Sequence, residues 1–324
     1  MPRFVLVLVL GAVGSGFSGR SISADVGQSI VVAGQRFDIG TPVVLWSDPG
    51  GYDAYQTTPR FGPVRTSPPD GKPRYGSRAS RLDPATAAKV EKNGWDLPTL
   101  QTVVDQFVLH YDVCGTSKRC FQVLQDDRGL SVHFLLDLDG TIYQTLDLKE
   151  AAWHATRSNG RSVGIEIAHM GAYPPGKPGR SEAWYIKGPD GKVTISIQDP
   201  LGKGSQRRGD LVLAPARPEP IDGAIRGAEL RQWDFTPQQY ESLTKLVAGV
   251  SRALPKVRCD YPRDASGKLR LDTLTDDEWK AYQGVMGHYH VQTNKTDPGP
   301  ALDWDRVIGG AKEILRSNPT QPAR

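Results

Sequence analysis

The stretch SVHFLLDLDGTIYQT, residues 131–145, decides the fold. Val132-His-Phe-Leu-Leu136 reads as a buried strand. Asp139-Gly140 follows, a strong hairpin turn signal. Thr141-Ile-Tyr-Gln-Thr145 reads as the return strand. Upstream, Gln106-Phe-Val-Leu-His110 reads as a second buried strand, this one ending in histidine. Downstream, Ser162-Val-Gly-Ile-Glu-Ile-Ala168 alternates: Val163, Ile165 and Ile167 share one face, while Gly164, Glu166 and Ala168 share the other. Farther on, Thr236-Pro-Gln-Gln239 is a capping box with proline at the first helical position. It opens a helix whose stripe is Tyr240, Leu243, Leu246, Val247 and Val250. A last helix follows Asp303, with Trp304, Val307, Ile308, Ala311, Ile314 and Leu315 on its buried face. These elements predict an α/β (mixed α+β) architecture: a central mixed β-sheet flanked by helices.

The chain has 324 residues and no internal repeat. Residues 1–24 have the pattern of an export signal: Arg3, the apolar run Phe4–Val13, then the small residues Gly14, Ser15, Gly16 and Ser18. The run is too short to span a bilayer. No cysteine follows it, so a lipid anchor is not expected. The expectation is an exported protein, periplasmic or extracellular, with no stable membrane insertion after signal removal. Residues 25–100 read as an irregular N-terminal extension, rich in Gly, Pro and Tyr up to 82, with one strand pattern at Thr41–Trp46. Asp83 and Pro84 open a short helix within it. The main domain runs over 101–316, interrupted by a Gly- and Pro-bearing insertion at 170–232 that includes the strand-like Lys192–Ile197. Residues 317–324 read as a polar, flexible tail.

The formal charge of +4 and pI near 8.9 suit contact with an anionic surface, and no Lys/Arg run is built for nucleic acid. Composition leaves the oligomeric state open. Of the three cysteines, Cys114 and Cys120 fit either a disulfide in an exported chain or two buried thiols, and Cys259 is the odd one.

The segment GHYHVQTNKTDPGP, residues 287–300, ends in Pro-Gly-Pro and reads as a loop, not a helix. With the strand-end His110 it offers the ligand set of a catalytic zinc: His110, His288 and Asp297, leaving one position for water. Such a centre needs a base for the water proton, and Glu166 is a lone carboxylate on an otherwise small and apolar strand. Lys295 can meet a developing oxyanion. Each residue alone also admits a structural role. His110, His133 and His154 can be packed core histidines, Asp297 before proline can start a turn, Lys295 can be a solvated charge, and His290 can replace His288 as ligand. The joint pattern carries the reading.

Taken together, FVLHYDVC (107–114), SVHFLLDLDGTIYQ (131–144), AAWHA (151–155), SVGIEIA (162–168) and GHYHVQTNKTDPGP resemble the type 2 N-acetylmuramoyl-L-alanine amidases, which share a fold with peptidoglycan recognition proteins. The resemblance covers roughly residues 100–170 and 235–316. It implies a zinc enzyme that hydrolyses the amide between N-acetylmuramic acid and L-alanine, with peptidoglycan or muropeptides as partners. It implies His110, His288 and Asp297 as Zn2+ ligands, favouring His288 over His290. Glu166 and Lys295 take the catalytic positions. His154 lies where relatives place a groove-lining histidine, and His133 is a second substrate-binding candidate. Cys114 and Cys120 resemble the close cysteine pair of the recognition proteins. One departure matters: many relatives carry tyrosine where this chain has Val132, which leaves Glu166 as the evident base. The alternative within the same scaffold is a non-catalytic peptidoglycan-binding protein.

Overall fold

The computed structural model describes residues 27–62, 71–177 and 182–317. Residues 1–24, where an export signal is expected, and the tail from 318 lie outside the described residues.

The chain opens with strands β1 (Ser29–Val32), β2 (Gln35–Asp38), β3 (Val43–Leu45) and β4 (Tyr75–Gly76), then helices α1 (Pro84–Asn93) and α2 (Leu97–Val103). The central part holds β5 (Gln106–Tyr111), α3 (Ser117–Phe121), β6 (Phe134–Leu136), β7 (Ile142–Gln144), β8 (Ala151–Ala152) and β9 (Ser162–Ile167). A π-helical stretch, Gln122–Arg128, continues α3. Two hairpins follow, β10 (Tyr185–Lys187) with β11 (Val193–Ile195), and β12 (Ile221–Ile225) with β13 (Ala228–Gln232). The chain closes with α4 (Pro237–Ala253), α5 (Asp276–Ala281), β14 (Gly284–Gly287), α6 (His288–Val291) and α7 (Trp304–Ser317).

A six-stranded mixed sheet forms in the order β14-β5-β9-β6-β7-β3. The pairs β14–β5, β5–β9, β9–β6 and β7–β3 are parallel, and β6–β7 is the antiparallel hairpin expected from Asp139-Gly140. Phe107, Leu109, Val163, Ile165 and Ile167 bury one face against α4 and α7. The capping box of α4 forms as the sequence predicts: Thr236 Oγ1 accepts from Gln239 N at 3.0 Å, and Gln239 Oε1 accepts from Thr236 N at 2.9 Å. On the second face, Leu135 and Tyr143 pack with Val44, Phe121 and Leu124. The alternation of β9 therefore leaves Gly164 and Glu166 on the face opposite α4 and α7.

Two expectations are refined. The described part of the N-terminal extension packs with the main domain: β3 is the edge strand of the central sheet, and Ile30, Val32, Val43 and Leu45 belong to the main core. The sequence period shows that Thr41–Trp46 is extended, but a parallel pairing to a strand a hundred residues away leaves no local mark. The second change is in 287–300, where His288–Val291 makes one helical turn before the loop begins. Gly287 N donates to His290 Nδ1 at 2.9 Å and Gln292 N to His288 O at 3.0 Å, so the turn is closed well before Pro298 can interrupt it.

Candidate active site

His110 and Glu166 are register partners on adjacent parallel strands, so their side chains leave the same face of the sheet. β14 lies on the other side of β5 and delivers Gly287 to the start of α6, which places His288 beside His110. The loop after α6 then returns: Asp297 O accepts from Tyr289 N at 3.2 Å, and Tyr111 Oη meets Thr296 Oγ1 at 2.7 Å. Three elements far apart in the chain thereby bring together three ligand-type atoms. His110 Nδ1, His288 Nδ1 and Asp297 Oδ2 stand 2.9 Å from one another in all three pairings.

Protons decide what this triangle can hold. The far nitrogen of His288, Nε2, lies 2.6 Å from Gln292 Oε1, an acceptor, so Nε2 carries a hydrogen and the tautomer this contact selects leaves Nδ1 bare. That bare nitrogen faces a carboxylate oxygen, and two electron pairs 2.9 Å apart call for a cation between them. For His110, Nε2 lies 3.0 Å from His154 Nδ1, and His154 Nε2 lies 3.1 Å from Ser162 Oγ. Donation in that direction, an assignment made from the network, leaves His110 Nδ1 bare as well. Burial first, then the neighbouring His288, lowers His110 to about 4, which keeps its ring neutral near pH 7. Burial pushes the carboxyl of Asp297 up, but its contacts with both histidines outweigh that and hold it below the usual carboxylate range. A neutral His110 ring and an ionised Asp297 carboxylate, with the Nδ1 lone pair of His288 beside them, form the donor set a divalent metal requires. The set fits zinc, which takes nitrogen and oxygen ligands of this kind.

Glu166 Oε2 is buried and has no hydrogen-bond partner among the described residues. Burial, then the charges of Asp297 and Asp112, push its carboxyl well above the ordinary value, and Lys295 opposes them. Lys295 is half-buried, with its charge acting on both His110 and Glu166. His154 is half-buried and packs flat on Gly164: a Cβ there would lie 2.5 Å from His154 Nδ1. Only glycine leaves room for the ring that orients His110.

The other histidines sit elsewhere. His133 is fully buried, its Nδ1 accepting from Gly164 N at 3.1 Å and its Nε2 lying 3.0 Å from Glu150 O. It presents no ring atom to a ligand. In His290, Nδ1 takes the Gly287 amide and Nε2 lies 2.7 Å from Arg270 O, so the ring points away from the triangle. The competition between His288 and His290 is thus resolved by which ring the backbone has already occupied. Cys114 and Cys120 are free thiols, and their sulfurs lie within 4.8 Å of each other and of an Asp112 oxygen. Sequence reading missed Gln292, Ser162 and Gly164 as supports. The first has a signal, since Gln292 follows His288 at the i,i+4 spacing of a helical turn. A glycine inside a strand is the signal for the last.

One face of the mixed sheet thus carries a His-His-Asp triangle able to hold a metal ion and, beside it, a glutamate with a buried, unpartnered oxygen, a donor set suited to hydrolysis. The N-acetylmuramoyl-L-alanine amidase family model matches residues 100–300, and the chain belongs to that family of amidases. Solved structures similar to the chain include a selenomethionine derivative of AmpD, at 15% identity, covering 80% of this chain and 98% of that one, TM-score 0.33. The amidase AmiD from E. coli, in a complex described as holding the substrate anhydro-N-acetylmuramic acid-L-Ala-D-gamma-Glu-L-Lys, is 17% identical, covering 64% of this chain and 57% of that one, TM-score 0.34. The endolysin amidase LysCS from Clostridium intestinale is 14% identical, covering 68% and 88%, TM-score 0.30. No curated protein matches the chain.

Proposed function

We propose that this amidase is zinc-dependent and cleaves the amide joining the lactyl group of N-acetylmuramic acid to L-alanine in peptidoglycan. The observation that carries the reading is the convergence of three lone-pair atoms on one point, beside a buried glutamate oxygen with no partner. His110, His288 and Asp297 would hold the ion. When bound, zinc supplies Lewis acidity that polarises a carbonyl and eases ionisation of water. Glu166 takes the proton from the attacking water as the new C–O bond forms. The same carboxyl then gives that proton to the leaving nitrogen as the C–N bond breaks, so atoms and charge balance over one turnover. Its environment suits both halves, because a raised proton affinity makes the carboxylate a stronger base and its conjugate acid stable enough to wait. Lys295 offers positive charge where the carbonyl oxygen becomes negative. His154 fixes the ring of His110. His133 supports the crossing of β6 and β9 and does not contact substrate.

The test uses Glu166→Gln on purified sacculi. The variant should bind zinc as the wild type does while release of stem peptide falls by about 10²–10⁴-fold. Wild-type turnover in the variant would remove the role of Glu166. No release by the wild-type protein with zinc bound and wall binding retained would leave the recognition-protein reading standing. Unchanged zinc content in both His110→Ala and His288→Ala would remove the metal site. We also infer export from the pattern of residues 1–24; detection of the full-length, unprocessed chain solely in the cytoplasm of the producing cell would refute it.

A further inference from the structure

The insertion ends in a hairpin that the reaction does not use. β12 and β13 are joined by Arg226-Gly227, with φ of 50° and 73°, the paired positive values of a tight two-residue turn. The hairpin is a separate two-stranded sheet. It lies against the segment that carries Lys295 and Asp297. Ile225 and Leu230 form a buried cluster with Tyr289. The Arg226 guanidinium donates to the backbone oxygen of Lys295. Gln232, fully buried, donates from Nε2 to Pro298 O at 3.1 Å and accepts at Oε1 from Ala301 N at 3.0 Å. Gly299 passes so close that a Cβ would sit 2.1 Å from Gln232 Oε1. The hairpin is itself held from outside: Tyr173 and Arg231 exchange backbone hydrogen bonds of 2.9 and 2.7 Å, and Arg226 N donates to Leu271 O at 3.0 Å.

These contacts fall at 289, 295, 298, 299 and 301, on both sides of Asp297 and at Lys295 itself. We propose that the β12–β13 hairpin is a clamp that holds Lys295 and Asp297 in register with His110 and Glu166, with Gln232 and Arg226 as positioning residues. This rests on the reading of His110, His288 and Asp297 as metal ligands. The physical need is plain. Between Gln292 and Trp304 the segment has no regular secondary structure, so the entropy of ordering it must be met by contacts from elsewhere. A ligand oxygen present at the site for only a fraction of the time weakens metal binding by that fraction. Neither Gln232 nor Arg226 touches the reacting atoms.

Two full-length variants test the clamp. Gln232→Met keeps the volume and removes both side-chain hydrogen bonds. Arg226→Ala removes the contact to Lys295 at a half-exposed hairpin tip and spares the core. Zinc affinity is read by competition with a chromophoric chelator, and amide hydrogen exchange is followed over 288–301 in the metal-free protein. Gln232→Met should bind zinc about 10-fold more weakly, as loss of a group supporting a ligand does, with faster exchange confined to 293–301. Arg226→Ala should lower kcat with little change in KM, because it loosens Lys295 and leaves the rest of the site in place. Should Gln232→Met fail to fold, Arg226→Ala decides. Wild-type zinc affinity, exchange and kcat in the folded variants, whatever their melting temperature, would make the hairpin merely structural. A wild-type protein that takes up no zinc would instead remove the metal reading, and the clamp with it.

Discussion

Two kinds of polypeptide meet in this molecule. Residues 106–168 together with 284–300 carry every group assigned to the chemistry. Residues 27–100 and 170–232 carry none of them. Yet Ile30, Val32, Val43 and Leu45 of the first silent region are as deeply buried as Phe107 and Leu109 of the active strand. Gln232 and Arg226 of the second silent region hydrogen-bond to the backbone of Lys295, Pro298 and Ala301, around Asp297. The difference teaches that the reacting groups occupy one face of a sheet whose edge, undersurface and loop supports are supplied by segments with no chemical signature.

The hardest way to break this comparison is to remove one silent region. Deleting residues 27–95 takes away β3, leaves β7 as an open edge, and strips six buried aliphatic side chains, Ile30, Val31, Val32, Ile39, Val43 and Leu45, from the main core. Each fully buried aliphatic contributes about 1.5–3 kcal/mol, against a net stability on the order of 5–15 kcal/mol for a typical domain. The truncated chain should be insoluble or unfolded by circular dichroism. A soluble truncation with wild-type stem-peptide release would show the region to be accessory after all.

A single residue of the same region sharpens the point. Arg78 is wholly buried and donates to backbone oxygens, Leu148 O at 3.1 Å, Asn159 O at 3.2 Å and Ser162 O at 2.8 Å. Burial lowers its pKa to about 9, so it stays charged at neutral pH. It ties the chain entering the site, at Asn159, to the first residue of β9. Arg78→Met leaves these carbonyls without a donor, at a cost of about 1–3 kcal/mol for each that stays unpaired. Urea unfolding should show a clear fall in midpoint with an unchanged slope. A midpoint equal to that of the wild type would mean that water replaces the guanidinium without cost.

Strand β9 should respond differently. Gly164→Ala places a methyl group where His154 now lies, and the ring must move. His110 then loses the partner of its Nε2. Zinc affinity should drop by about 10-fold or more, with a smaller loss in urea stability than for Arg78→Met. An equal loss of stability with intact zinc binding would place Gly164 among the scaffold residues rather than the site.

The same contrast explains what was readable beforehand. His110, His288, Asp297, Glu166 and Lys295 were singled out only jointly, because each residue type alone also admits a structural role and the combination carries the reading. The strands around them follow from the alternation of β9 and the Asp139-Gly140 turn. The join between β3 and β7 could not be read, since a non-local pairing adds no period to either strand. His290 was undecided for a related reason: its role is set by Arg270 O, a backbone atom twenty residues away. Gln232 was invisible because a buried amide satisfying two backbone groups looks like any surface glutamine in a charged insertion.

The smallest effect expected lies where a motif serves the scaffold. Thr236 caps α4 and is fully buried. Its hydroxyl accepts from Gln239 N and donates to Leu138 O at 2.7 Å, linking the helix to the turn of the β6–β7 hairpin. Thr236→Ala loses a cap and strands a buried carbonyl, which together should cost about 1–2 kcal/mol. The site is reached from α4 only through the whole thickness of the sheet, so zinc affinity and kcat should hold while the urea midpoint falls. Thr236→Ser keeps the hydroxyl and should restore most of the loss. A fall in zinc affinity in Thr236→Ala, restored in Thr236→Ser, would show that the helix face and the site face are coupled through β6 and β9, and the division drawn between scaffold and chemistry would have to move inward.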